Sequence, residues 1–196
     1  MAESTRLSGD IGPDADSDLL NEKKFYERFY ALHRDPILLP VFQEFGISVF
    51  RRSSVLEGLD TFLKTNKFSG QCCVEIGTCN GLTAIVLSRY FSHVVSYDIV
   101  PSDFKHEIAE FCCVKNITFV DCKGNEEKSA LIESLTFDAA YVDGDHARDT
   151  KSDFDLVKRC GRVLFHEYWP AQPAVVNLVN GLSNVIKSGK FALWMA

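Results

Sequence analysis

The residues Val74-Glu75-Ile76-Gly77-Thr78-Cys79-Asn80-Gly81-Leu82-Thr83 constrain this chain more than any others. The apolar run from Cys72 to Ile76 reads as a buried strand, and Leu82 to Leu87 reads as the start of a buried helix. Two glycines four positions apart stand between them. Strand, Gly-rich turn and helix in this order open a nucleotide-binding α/β fold. Glycine is needed where φ must be positive, or where backbone approaches a ligand with no Cβ between them. The first helical turn leaves N–H groups unpaired, and these suit an anionic or carboxylate-bearing ligand. Position 79 is Cys, not the middle glycine of a G-x-G-x-x-G fingerprint, so the same residues also read as a tight turn without a ligand.

The pattern after residue 70 alternates. Strands are expected at 71–76, 94–98, 117–121, 138–143 and 162–168, and helices at 81–91, 103–113, 125–134 and 149–159. Continuous apolar strands separated by helices imply an α/β fold with a parallel sheet covered on both faces. Right-handed crossovers make it a doubly wound, mostly parallel Rossmann-like sheet. Apolar residues from Val175 to Ile186 recur at helical spacing, so 172–187 is expected to be one more helix, ended by Gly189. Phe191-Ala192-Leu193-Trp194-Met195 is then a single last strand in a shortened C-terminal region. Its outer edge would be exposed or paired with a second copy in a homodimer.

Residues 1–18 read as a disordered acidic tail, because Glu3, Asp10, Asp14, Asp16 and Asp18 face only Arg6 among Ser, Gly and Ala. One domain is expected over 19–196, with 19–68 as a helical cap. Leu19, Leu20, Phe25, Tyr26, Phe29 and Tyr30 form an apolar stripe that suits core packing, and Pro36 and Pro40 punctuate a second short piece. Residues 46–52 read as a loop, with Ser53 or Ser54 capping a helix over 55–64.

Three polar groups gather where strands are expected to end. Asp98 closes Val94-Val95-Ser96-Tyr97 and follows Gly81 by 17 residues, near the roughly 20 expected of an acid that grips ribose hydroxyls. Before Pro101 it also reads as a turn aspartate. Tyr141-Val142-Asp143-Gly144-Asp145-His146 ends the next apolar run, and His166-Glu167-Tyr168-Trp169 ends the one after. Carboxylates and imidazoles are costly to bury. Open α/β sheets bind ligands at this edge. Asp145, Asp149 and Thr150 read equally well as turn and helix-capping residues. Asp143 and Glu167 together supply the oxygen ligands that a hard cation such as Mg²⁺ takes.

On these residues the chain resembles the class I S-adenosylmethionine-dependent methyltransferases. More narrowly it is similar to the small group that includes macrolide-sugar O-methyltransferases, distantly related to catechol O-methyltransferases. The resemblance rests on Glu75, Gly77, Thr78, Gly81 and Thr83, then Asp98, then 141–146, then 163–168, and spans about residues 70 to 180. It implies that Glu75 and the 77–81 loop hold the methionine part of the cofactor, and that Asp98 holds its ribose. It places the adenine at Gly124 and Asn125, after the strand Ile117-Thr118-Phe119-Val120. It implies Asp143 and Glu167 as metal ligands, with His166 as a third ligand or substrate contact, and His146 as general base. The chain departs from the family at Glu167, where Asp is usual, and at Cys160-Gly161, where Gly-Gly is usual.

The resemblance thus implies methyl transfer from S-adenosylmethionine to a hydroxyl of a small molecule, with Mg²⁺ assistance. An NAD(P)-dependent oxidoreductase shares the strand, loop and ribose acid, but the missing glycine at Cys79 and the Asp143, His146 and Glu167 cluster both argue against it. A non-catalytic Rossmann-like binding module is the third alternative. A net charge of −6 with no basic stripe argues against nucleic-acid partners. No apolar run approaches the roughly 18 residues of a membrane span, and the N-terminus carries no signal-like stretch. Seven cysteines, an odd number without zinc spacing, suit a reducing cytoplasm.

Overall fold

A computed structural model describes residues 49–100, 102, 104–145 and 147–196. The acidic tail, the aromatic stripe, the Pro36 and Pro40 segment and His146 lie outside the described residues. The chain runs α1 (Val49–Thr65), β1 (Gly70–Ile76), α2 (Leu82–Leu87), β2 (Phe91–Asp98), α3 (Phe104–Phe111), β3 (Ile117–Asp121) and α4 (Asn125–Glu133). It continues β4 (Ala139–Val142), α5 (Thr150–Val157), a 3₁₀ turn, β5 (Arg162–Phe165), α6 (Pro173–Asn180), β6 (Val185–Ser188) and β7 (Phe191–Met195).

The strands form one sheet in the order β3-β2-β1-β4-β5-β7-β6. The first five pair in parallel, and β7 runs antiparallel to both β5 and β6. The chain winds outward from β1 to β3, then returns to place β4 on the other side of β1. Strand order therefore reverses between β1 and β4, where α/β sheets open a crevice.

Side chains alternate between the two faces, as a pleated strand requires. Cys73, Ala139, Tyr141 and Leu164 join one apolar cluster with Leu59 and Leu63 of α1, Ile85 and Val86 of α2 and Ile108 of α3. Val74, Ile76, Ala140, Val142, Val163 and Phe165 join the other, with Ile132 of α4, Phe154 of α5 and Val175 and Val179 of α6. Both faces are covered, which explains why the strands read as unbroken apolar runs.

Several expected boundaries shift. No proline interrupts α1, and it is already helical at Val49, so Ser53 and Ser54 lie inside the helix instead of capping it. Helix α2 stops at Leu87. Arg89 and Tyr90 donate to carbonyls only three residues back, at 3.2 and 2.9 Å, and Phe91 already pairs with Gly70. The larger correction is C-terminal. Helix α6 ends at Asn180, and 185–188 is a strand, so the sheet finishes with a β6–β7 hairpin instead of one strand. Ser188 pairs with Phe191 across a two-residue loop, and Gly189, at φ 57°, begins that loop instead of ending a helix. Two-residue hairpins require such a positive φ.

Candidate functional site

Where β1 ends, Ile76 O accepts from Asp143 N at 2.8 Å, and Gly77 N donates to Tyr97 O at 2.8 Å. The ends of β1, β2 and β4 are thus tied together. Gly77 has φ 100°, and a Cβ there would lie 2.2 Å from the Asp143 carbonyl oxygen. No side chain fits that gap. Gly81 N then closes on Thr78 O at 2.8 Å. Cys79 takes φ 49° and donates its N–H to Asp98 Oδ2 at 2.7 Å. Val100 N donates to Asp98 Oδ1 at 2.8 Å. Backbone donors therefore orient the Asp98 carboxylate and leave each oxygen room for a further bond.

These ends enclose a cleft of about 420 Å³. Ile76, Gly77 and Tyr97 lie along it, and Ile99 and Val100 add apolar surface. Four carboxylates line it, from Asp98, Asp143, Asp145 and Asp149, against one ammonium among the described residues, that of Lys128. Lys128 Nζ in turn donates to Asp153 Oδ1 at 2.7 Å. Burial raises the Asp153 carboxyl above its usual range, and the bond from Lys128 pulls the other way.

Of the cofactor-binding residues expected from sequence, Gly77, Asp98 and Asp143 line this cleft and the others do not. Glu75 is fully buried beneath it. Ser96 Oγ donates to Glu75 Oε2 and lies 2.7 Å from Thr78 Oγ1, so Thr78, Ser96 and Glu75 form a chain under the loop. Burial drives the Glu75 carboxyl well above the usual carboxylate range. The Ser96 bond opposes that shift, while the Asp143 and Asp98 charges reinforce it. Glu75 Oε1 has no hydrogen-bond partner among the described residues. Gly81 and half-buried Thr83 belong to the turn and the first turn of α2. Gly124 precedes α4, and Asn125 Nδ2 donates to Asp149 Oδ2 at 3.1 Å, which brings that segment to the rim of the cleft. Asp149 stands at the start of α5 without a side-chain capping bond, whereas Asp145 Oδ1 does accept from Ala147 N in its turn, at 3.0 Å.

No protein-family model matches the chain, and no curated protein sequence matches it. Solved structures do. A putative O-methyltransferase from Klebsiella pneumoniae superposes with TM-score 0.60 at 14% identity, over 82% of this chain and 90% of that one. An O-methyltransferase from Bacillus cereus, in complex with SAH, gives 0.61 at 13% identity, over 83% and 90%. A putative caffeoyl-CoA O-methyltransferase from Staphylococcus aureus gives 0.61 at 14% identity, over 88% and 98%. The fold is that of the class I S-adenosylmethionine-dependent methyltransferases.

Within this methyltransferase fold, the residues expected to hold a metal take another arrangement. His166 Nδ1 lies 2.7 Å from Asp143 Oδ1, and its Nε2 lies 3.5 Å from Glu167 Oε1. The imidazole thus stands between the two carboxylates. Tyr141 Oη donates to Asp143 Oδ2 at 3.4 Å, Trp169 Nε1 donates to Glu167 Oε2, and Lys190 Nζ lies 3.6 Å from Glu167 Oε1. Aromatic stacking holds the ring, with Phe191 at 5.3 Å and Tyr141 at 6.3 Å between centroids. Mg²⁺ needs several oxygens converging at about 2.1 Å in octahedral geometry. Here each carboxylate oxygen already faces a donor of this chain, and no three His, Cys, Asp or Glu side chains among the described residues converge on one point. The residues present do not fit the cation. Strand β5 ends at Phe165, earlier than expected, and the chain turns sharply at Glu167, φ 57°, which aims that carboxylate at Trp169.

Sequence reasoning did not single out Lys128, Asp153 or Ser96. Lys128 follows Asn125-Glu126-Glu127 and looks like one more solvated charge. Only the packing of α4 on α5 buries it. Ser96 had a usable signal, since a small polar residue interrupts an otherwise apolar and aromatic strand.

Proposed function

We propose that this chain is an S-adenosylmethionine-dependent methyltransferase that methylates a hydroxyl of a small molecule. The observation that carries this reading is the charge of the cleft. Four carboxylates face one ammonium, and that ammonium is already paired with Asp153. Such a cleft attracts a sulfonium and an α-amino group and repels a pyrophosphate. It therefore favours S-adenosylmethionine over a nicotinamide dinucleotide in a fold that otherwise accommodates either.

When bound, the cofactor supplies an electrophilic methyl group. Asp98 accepts from the two ribose hydroxyls, using the lone pairs left free by Cys79 N and Val100 N. The 77–81 loop, backed by Thr78, Ser96 and Glu75, holds the methionine end. The 124–125 segment, tied to Asp149, lies at the base. Burial raises the Glu75 carboxyl well above the usual carboxylate range, which favours its neutral form beneath the loop. His146 takes the acceptor hydroxyl's proton, a role that an imidazole suits near neutral pH. Positioning and proton removal are what the transfer requires of the protein. The Asp143 and Glu167 donor set does not support Mg²⁺ assistance.

All seven cysteines are free thiols, which supports a reducing, cytoplasmic setting. No helix among the described residues is long and apolar enough to cross a membrane. Strand β6 forms one edge of the sheet, and a homodimer would pair there.

Calorimetric titration with S-adenosylhomocysteine, with NAD as control, tests the reading. Micromolar binding of the first and none of the second is expected. Binding of NAD alone would move the chain to the oxidoreductases, and silence with both would make it a non-catalytic module.

A further inference from the structure

The ion pair between Lys128 and Asp153 is nearly enclosed, with 6% and 3% of the two side chains exposed. Desolvating two charges is costly, and apolar residues of similar volume often serve stability as well or better. Stability alone is a poor account of the pair, and its position offers a better one, because Lys128 forms part of the cleft wall. An ammonium has three N–H donors. Asp153 takes one, and no other hydrogen bond from Lys128 Nζ is made among the described residues. Asp153 Oδ2 likewise has no partner there, and it lies 3.0 Å from where a Gly144 Cβ would stand, directly behind the wall.

Lys128 therefore has N–H donors to offer a ligand that fills the cleft. An adenosyl cofactor has acceptors in its terminal carboxylate, its ribose oxygens and the ring nitrogens of its base, and the ribose is assigned to Asp98. Charge separates the other two. Asp145 and Asp149 act on the same Asp153 carboxyl and share the cleft with Lys128, so a further carboxylate would meet like charges next to an ammonium already neutralised. An uncharged heteroaromatic acceptor meets no such repulsion. Ile99 and Val100, directly after the proposed ribose acid, offer apolar surface for a flat ring joined to that ribose.

We propose that Lys128, held in place by Asp153, donates a hydrogen bond to a ring nitrogen of the cofactor's purine base and makes the cleft selective for that base. The assignment rests on the methyltransferase reading. Lys128 binds, and Asp153 is a positioning residue.

Replacing Lys128 alone would strand a buried carboxylate and risk unfolding. The test therefore uses the paired variant Lys128→Gln with Asp153→Asn, its folding checked by thermal unfolding. Dissociation constants are measured for S-adenosylhomocysteine, for 5′-methylthioadenosine, which lacks the amino-acid end, and for the 1-, 3- and 7-deaza forms of S-adenosylhomocysteine. The variant is expected to bind the first two about tenfold more weakly than the wild type. One deaza form should bind the wild type about tenfold more weakly than S-adenosylhomocysteine does, while the variant binds both alike. A loss with S-adenosylhomocysteine but not with 5′-methylthioadenosine would assign Lys128 to the carboxylate and overturn the proposal. So would an equal loss across all the deaza forms, which is the mark of mere structural support, or no loss at all. A wild type that binds neither adenosyl compound overturns the methyltransferase reading itself, and this assignment with it.

Discussion

The two halves of the sheet's C-terminal edge carry similar side chains and use them differently. Over β1, β2 and the start of α4, the cleft is open and its Asp98 carboxylate is held by the backbone N–H groups of Cys79 and Val100. Over β4, β5 and β7, Asp143 and Glu167 are held by side chains: His166, Tyr141, Trp169 and Lys190. A backbone donor gives one bond from a fixed direction and leaves the outer face of a carboxylate to a ligand. Side-chain donors reach around and enclose it. The first half is thus preorganised for a ligand, whereas the second is closed on itself. Asp143 belongs to both, lining the cleft with one side and meeting His166 with the other.

The sharpest way to break this contrast is Asp98→Ala. If the open half binds ribose, S-adenosylhomocysteine affinity should fall about 100-fold, the worth of two hydrogen bonds to a charged group. Calorimetry reads it directly, and an affinity within about twofold of wild type would remove Asp98 from the site.

A smaller effect is expected from Glu75→Gln, beneath the same half. The folded carboxyl titrates well above the usual range because of burial, so the native protein keeps a proton that the unfolded chain releases above about pH 4.3. Glu75's contribution to stability is then fully present below that pH and declines as pH rises toward the folded value, by at most about 1.4 kcal/mol per unit. The variant should lose this decline. Urea unfolding between pH 4 and 8 compares the slopes, and parallel curves for the two proteins would show that Glu75 is charged in the fold.

The smallest effect should come from the closed half. Adding Mg²⁺, or removing divalent ions with a chelator, should alter S-adenosylhomocysteine affinity by less than about twofold, because the oxygens that Mg²⁺ would need already have donors. A tenfold gain with Mg²⁺ would show that the network opens for a cation.

Four of the five parallel strands, β1, β2, β4 and β5, were legible because they are largely buried on both faces and therefore read as apolar runs, and β3, half-buried at the sheet edge, was legible from Ile117, Phe119 and Val120. The stretch 172–189 was not. Val175 to Ile186 keeps a helical period across the break, and a short apolar segment such as Val185-Ile186 does not announce its period. The turn residues Gly181, Ser183 and Asn184, the last at φ 56°, were the available sign. Strand formation there depends on β7, which offers its edge to residues 185–188. Gly77, Asp98 and Asp143 could be placed in the site because each stands at or just beyond the end of a strand. Lys128 and Asp153 could not, being separated by 25 residues and brought together by two helices.

The sequence by itself determined the alternation of strands and helices, the turn that requires Gly77, and the sheet edge at which polar side chains collect. These follow from periodicity and backbone sterics, which act over a few residues. Tertiary structure alone decided which of those side chains remain available. Strand order sets β4 beside β5, so His166 meets Asp143 across 23 positions of sequence, and the β6–β7 hairpin brings Lys190 to Glu167. A carboxylate's availability depends on the donors around it in space, and a chain folded in any other strand order would give the same residues different donors.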